Sequence, residues 1–312
     1  DSVYLFIFLS ISFHSVIMIL QLYFPDFKDL IYSYTTSSSL NVEDYSYEYN
    51  FRMGGLAGSY GSSTLSVAQA FGVILLPFIN NGRVLWQRWF LNFCAGIIFF
   101  SVIICGRSGL LFILIFYPLS IILANGGFKI RTMGRAIFTS IGLLCLLLGL
   151  LSLIGSLNET SDIFYSLRRT FETFIAISGG GEWEDKTINA LINHWIFPSR
   201  PEIFILGSSE FIINTHFERT LNSDIGYIRN LWGMGIFVAV IYWMPYFYFC
   251  AKALRNLTRH DSAKILLIIT LISILLHFKE DIFYSRILLS YFSLILSGLY
   301  FEKFPRNKYV RN

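Results

Sequence analysis

Residues 101–116 read Ser101-Val102-Ile103-Ile104-Cys105-Gly106-Arg107-Ser108-Gly109-Leu110-Leu111-Phe112-Ile113-Leu114-Ile115-Phe116. Two apolar runs, 88–105 and 109–124, meet here across Gly106, Arg107 and Ser108. Unbroken apolar runs of that length are membrane spans rather than half-buried strands. A connection so short makes them two helices whose ends meet at one membrane surface. Further runs lie at 3–24, 63–80, 136–155, 231–250, 265–277 and 285–301, so eight transmembrane helices are predicted. Several fall short of the roughly 20 residues of a straight span and must recruit flanking aromatic, Gly and Ser positions.

Composition agrees. Hydrophobic residues make up 54% of the chain and charged residues 14%, against about 25% charged in soluble domains, and the mean hydropathy is +0.58. The predicted fold class is an all-α polytopic membrane protein. Cys94, Cys105, Cys145 and Cys250 all fall in or beside apolar runs, where they read as small core residues without disulfide or metal spacing. The chain begins at Asp1 and enters a span almost at once, so further residues are expected upstream, and no signal peptide can be read.

Basic residues gather in alternate connections: Arg83 and Arg88; Lys129, Arg131 and Arg135; Lys252, Arg255, Arg259 and Lys264; Lys303, Arg306, Lys308 and Arg311. The positive-inside rule places these in the cytoplasm. Segments 25–62, 106–108, 156–230 and 278–284 then face outward, and all eight predicted spans obey one alternation. The expected organisation is helices 1 to 5 in 1–155, with an outward loop at about 25–62. A large outward loop follows at 156–230, then helices 6 to 8 in 231–302 and a basic tail at 303–312. The net charge of +4 is on this reading an orientation signal, and nucleic acid is not an expected partner. Outward-facing arginines need another explanation: Arg52, Arg107, Arg168, Arg169, Arg200, Arg219, Arg229 and Arg286.

Arg107 is a fixed cation at the outer interface, aimed at a phosphate or lipid headgroup, with Gly106 and Gly109 allowing other backbone to come close; the alternative is a snorkelling interfacial Arg. Arg52 follows the acidic, aromatic stretch 43–51 and precedes Gly54 and Gly55. There Tyr45, Tyr47, Tyr49 and Phe51 alternate as in a short strand whose rings could stack on sugars, or else form a surface loop with a local ion pair. Arg168 and Arg169, adjacent and outward, can grip a diphosphate through forked hydrogen bonds, or ride an amphipathic helix at 162–177 beside Glu172. Asp224, just ahead of the sixth span, can act as general base toward a hydroxyl, or it or Ser223 can cap a helix. His194, beside Trp195, and His216 are the large loop's histidines. They show no zinc spacing, and no nucleotide loop or hydrolase elbow is present.

Three places carry a family resemblance: Arg52-Met53-Gly54-Gly55-Leu56 leading to Ser66-Val67-Ala68; Gly106-Arg107-Ser108-Gly109-Leu110; and Ser223-Asp224-Ile225-Gly226-Tyr227-Ile228 leading to Gly233-Met234-Gly235. With them the chain resembles the bacterial O-antigen polymerase family (Wzy type). More distantly it is similar to the O-antigen ligases and oligosaccharyltransferases that share its fold. The resemblance implies a GT-C-like, metal-independent and cofactor-free glycosyltransferase of the bacterial inner membrane, working at the periplasmic face. Its implied partners are an undecaprenyl-diphosphate-linked glycan donor, a lipid-linked acceptor repeat, membrane lipid and a chain-length regulator. The expected diphosphate-binding residues are Arg107, Arg168, Arg169 and Arg52, and the expected catalytic pair is Asp224 with Arg107. Tyr45, Tyr47, Tyr49, Trp195, His194 and His216 are candidate glycan contacts. Some members carry an Arg, ten residues, Gly pattern in two outward loops; Arg169 to Gly180 fits it, whereas Arg52 meets Ser63. The ligase branch carries a His where this chain has Asp224, which favours the polymerase. A flippase, the rival from another class, would want cations deep in the helix bundle.

Overall fold

The computed structural model describes residues 2–35, 53–57, 63–127, 129–154, 195–209, 225–258, 260–279, 290–291 and 293–296. These residues are helical with connecting turns, and none of them forms a strand. Helices are what a bilayer demands, because a chain in hydrocarbon has no water to satisfy its backbone N–H and C=O groups. The elements are α1 (Ser2–Tyr23), α2 (Pro25–Thr35), α3 (Ser63–Ile79), α4 (Leu85–Cys105), α5 (Arg107–Ala124), α6 (Ile130–Ile154), α7 (Pro201–Leu206), α8 (Gly226–Arg255) and α9 (Asp261–Leu276). Among the described residues, α1, α4 and α8 are long and apolar enough to cross a membrane, which marks a membrane protein. α3 and α5 are apolar but shorter.

The chain divides into two compact units, Asp1–Glu172 and Thr173–Asn312. In the first, α3 is the central helix and packs against α1, α4 and α5. Leu65, Val67, Ala68, Ala70, Phe71, Ile74 and Leu75 are all buried around it. Small residues let its neighbours approach: a Cβ on Gly72 would lie 3.0 Å from both Ile11 of α1 and Ile98 of α4. α1 turns Tyr4, Ile7, Phe8, Ile11 and Met18 inward at helical spacing and leaves Phe6, Leu9, Phe13 and Val16 exposed, an apolar outer face suited to lipid. α2 occupies the start of the segment expected to be a loop. Pro25 at its first position and Asp26 in its first turn start it as those residues commonly do.

In the second unit α8 packs against α7 and α9. It is broken at Gly235, whose φ of 74° and ψ of 167° are not helical. Tyr227 and Trp243 would stand about 24 Å apart on a straight helix, yet their ring centroids are 5.0 Å apart. The break therefore folds the first arm of α8 back toward the second. A short arm precedes the long apolar one, so the span does not run straight on from the residues that follow Asp224. The expectation that all four cysteines are core residues is corrected: Cys94 and Cys105 are buried, but Cys145 is exposed and Cys250 half-buried. Cys145 shares α6 with Ile137, Phe138, Ile141 and Leu144, which are exposed as well.

Candidate functional site

α4 ends at Cys105 and α5 begins at Arg107, so a single residue, Gly106, joins them. The turn is tighter than three residues, and Arg107 is itself the first residue of a helix; its side chain lies outside the described residues. An α-helix leaves its first N–H groups without intrahelical acceptors, and an N-cap side chain commonly takes one. Gly106 holds the cap position and has none to offer. Ser66 of α3 supplies it from another helix: its Oγ accepts the Gly109 N–H at 2.9 Å and donates to the Gly106 carbonyl at 2.5 Å. Gly109 permits this, since a Cβ there would stand 2.6 Å from Val102 Cγ1 and against the Ser66 backbone. Two of the three stretches quoted for the resemblance, at Ser66 and at Gly106–Gly109, are thus in direct contact.

A second turn packs in the same unit. Met53 is buried, and the Ala57 N–H donates to the Gly54 carbonyl at 3.1 Å. Three successive backbone donors in it find side-chain acceptors. Gly54 N–H donates to Tyr32 Oη at 2.9 Å, Gly55 N–H to Gln21 Oε1 at 2.9 Å, and Leu56 N–H to His14 Nε2 at 2.9 Å. Gln21 also returns its Nε2 to the Gly55 carbonyl at 3.3 Å. Gly55 has φ of +58° and lies against the His14 ring, a position where only glycine fits without strain. Behind this turn, the Gln69 amide of α3 lies against His14 Nδ1 on one side and 2.9 Å from Ser15 Oγ on the other. Ser101 of α4 donates to Ser15 at 2.9 Å.

In the second unit, Trp195 is partly exposed and packs on Phe278 and Phe197, with ring centroids 5.8 and 6.4 Å away. Its segment is held by the Trp232 indole N–H, which donates to the Ile196 carbonyl at 2.8 Å. Ser208 and Ser209 N–H donate to the Trp232 and Gly233 carbonyls at 2.7 and 3.0 Å. This docks the end of α7 against the break in α8, where Gly207 and Gly235 let the backbones meet. A cleft at the break is walled by Tyr227, Trp243, Tyr246 and Phe247, with His277 alongside. Among the described residues its lining is aromatic and neutral, with Ser273 and Ile274 completing it.

Of the predicted site residues, Arg107 is placed by its backbone in the first unit and Trp195 lies in the second. Arg52, Arg168, Arg169, Asp224, His194, His216, Tyr45, Tyr47 and Tyr49 lie outside the described residues. So do the predicted strand at 45–51 and the amphipathic helix at 162–177. The alternative of a cap at Ser223 or Asp224 is corrected: the cap position of α8 is Ile225, with no side-chain hydrogen bond. His14, Gln21 and Gln69 were not among the predicted site residues, and Ser66 was quoted only within the first stretch of the resemblance. Their signal is present in the sequence, because polar groups inside apolar runs are costly and mark a partner. His14 and Gln21 are seven apart on α1, and Ser66 and Gln69 three apart on α3, so each pair shares one helix face. No family model matches the chain, and no curated protein or solved structure matches it either.

Proposed function

We propose that this chain is a polysaccharide polymerase of the O-antigen type, with a GT-C-like bundle of about eight spans. It transfers glycan from an undecaprenyl-diphosphate donor to the non-reducing-end hydroxyl of a lipid-linked acceptor at the periplasmic face of the inner membrane. The observation that carries this reading is the position of Arg107. It opens α5, at the positive end of the helix dipole, with no acidic residue in the first turn. A cation there is unfavourable by about 0.3–1 kcal/mol, and a bound anion reverses the sign by accepting from both the guanidinium and the helix end. Ser66 and Gly109 hold that helix start rigidly, which is what stabilising charge on a departing diphosphate requires.

In the proposed mechanism Arg107, with Arg168 or Arg169 and with Arg52 in a lesser role, binds the diphosphate and takes up charge as the sugar–phosphate bond breaks. Asp224 accepts the proton of the attacking hydroxyl. A flippase is less well supported. Lys28, on the short helix α2, is the only buried Lys or Arg among the described residues; of the three long apolar helices, α1 has no Arg or Lys, and α4 and α8 carry theirs toward their ends.

The test is a purified-protein assay on one defined lipid-diphosphate repeat. A polymerase makes a ladder of longer products, whereas a ligase makes none without its own acceptor. Arg107→Lys keeps the charge but loses the fork, and Asp224→Asn loses the base; each is expected to remove most activity while the protein stays folded. Full ladder formation by either variant eliminates that residue from the site.

A further inference from the structure

We infer that His14, Gln69 and Ser66 form one positioning relay that fixes the spacing between the Gly54–Ala57 turn and the Gly106–Gly109 turn. The catalytic half of this inference rests on the polymerase reading above; the structural half does not.

Hydrogen-bond accounting carries it. The Leu56 backbone N–H can only donate, so the His14 Nε2 it meets at 2.9 Å is the bare nitrogen and Nδ1 carries the hydrogen. Nδ1 faces the Gln69 amide. That amide must therefore present its oxygen to Nδ1, turned end for end from the orientation in which nitrogen faces nitrogen. Its NH2 then donates to Ser15 Oγ, 2.9 Å away, while the Ser15 hydroxyl donates to the Ile11 carbonyl at 2.8 Å. Ser15 Oγ has a second lone pair for Ser101. In this assignment Leu56 N–H, His14 Nδ1–H, the Gln69 amide and the Ser15 hydroxyl each have an acceptor, and the Ser101 hydroxyl has a choice of two, Ser15 Oγ and the Ile98 carbonyl at 2.7 Å.

One face of α3 thus serves two turns. Gln69 reaches through His14 to Leu56, and Ser66, three residues earlier, holds Gly106 and Gly109. A second path runs from Ser15 to Ser101, four residues before the end of α4 and so close to Gly106. Packing alone calls for none of this, since Leu at positions 14 and 69 would fill the layer without polar cost. Irregular backbone at membrane depth, by contrast, needs protein acceptors, and the Gly54–Ala57 turn takes them from His14, Gln21 and Tyr32. The Gly54–Ala57 turn comes just after Arg52, and the other contains Arg107. The relay is therefore a means of holding the Gly54–Ala57 turn at a set separation from the helix start that carries Arg107.

The experiment measures that separation in the full chain, in lipid nanodiscs, by electron–electron resonance. Spin labels are placed at Leu56→Cys and Leu111→Cys, both exposed positions, in a background of Cys145→Ser and Cys250→Ser. The parent should give one narrow distance. Gln69→Leu, which gives His14 Nδ1–H no acceptor, should broaden it, and Gln69→Glu, which keeps an acceptor, should restore it. Should Gln69→Leu not be recovered folded, Ser66→Ala, which removes the hydroxyl that holds Gly106 and Gly109, is expected to broaden the same distance. A distribution in these variants as narrow as the parent's overturns the relay. On the lipid-diphosphate repeat, Gln69→Leu should lower kcat/KM by about 100-fold, the scale of a 1 Å misplacement, with rescue by Gln69→Glu. A broadened distance with unchanged kcat/KM overturns the positioning role. Broadening by Gln69→Leu with rescue by Gln69→Glu, together with a parent that makes no product, supports the relay and overturns the polymerase reading instead.

Discussion

Ser66→Ala isolates the device that holds the Arg107 turn. The substitution removes one oxygen from a site with no exposure and leaves the α3 backbone unchanged. Two bonds go with it: the acceptor of the Gly109 N–H and the donor to the Gly106 carbonyl. Losing an N-cap acceptor costs about 1 kcal/mol, and a buried polar group left unpaired costs about 1–3 kcal/mol. Interhelical hydrogen bonds in membranes are worth less, about 0.6 kcal/mol on average and up to about 1.7, because the unfolded chain in the bilayer finds other partners. The lower scale governs here, and for two bonds it gives a loss of about 1–3 kcal/mol. The reference is Ser120→Ala in α5, equally buried, whose hydroxyl donates to the Tyr117 carbonyl of its own helix at 2.7 Å. That change should stay within about 0.5 kcal/mol. Equilibrium unfolding in mixed micelles reads the difference between the two variants. If Ser66→Ala falls within about 0.5 kcal/mol of Ser120→Ala, the hydroxyl is not a cap and the reasoning fails.

Gly109→Ala should destabilise in the same assay by about 1–3 kcal/mol, because overlap with Ser66 and Val102 outweighs the better helix propensity of Ala. Gly142→Ala in α6, with open space around it, should be neutral or stabilising by up to about 1 kcal/mol; equal effects at the two sites would refute the close approach of α3 and α5. Gly235→Ala places a Cβ at positive φ and against the Ile205 and Leu206 backbone, so it should undock α7 from α8. Amide exchange at Ser208 and Ser209, whose N–H groups are held by the Trp232 and Gly233 carbonyls, should then accelerate. Unchanged protection there would mean the glycine is not required for the break.

Helix positions were legible where length and hydropathy act alone. The run read at 3–24 is α1 at Ser2–Tyr23, and the run at 88–105 is α4 at Leu85–Cys105, because an apolar segment in a bilayer has only the helix open to it. The break at Gly235 was not legible. Glycine inside an apolar run reads as a packing residue, and its positive φ depends on Gly207 meeting it from a distant part of the chain. The α8 cap was misplaced for a related reason: Ser223 and Asp224 have the right chemistry, but the helix starts one residue later than Asp224 needs and two later than Ser223 needs. α2 was hidden by its polarity, although Pro25 and Asp26 give a regular start signal. For the site, Gly106, Arg107 and Gly109 stood out as punctuation between two spans, while the pairing of Ser66 with them was not legible, because it depends on how α3 packs against α5.

What separates the legible part from the rest is how many backbone groups lack a partner. A regular helix satisfies its own, so its side chains need only be apolar and hydropathy finds it. The Gly54–Ala57 turn and the start of α5 cannot satisfy theirs, and each such group must be met by a side chain from another helix. Polar residues inside spans are therefore placed by the irregular backbone they serve: His14 by Leu56, Gln21 by Gly55, Tyr32 by Gly54, and Ser66 by Gly106 and Gly109. The glycines and the span-embedded polar residues are two halves of one requirement. In a chain of this class, a glycine-rich turn between apolar runs implies a compensating polar residue on a facing helix, and the two should be sought together.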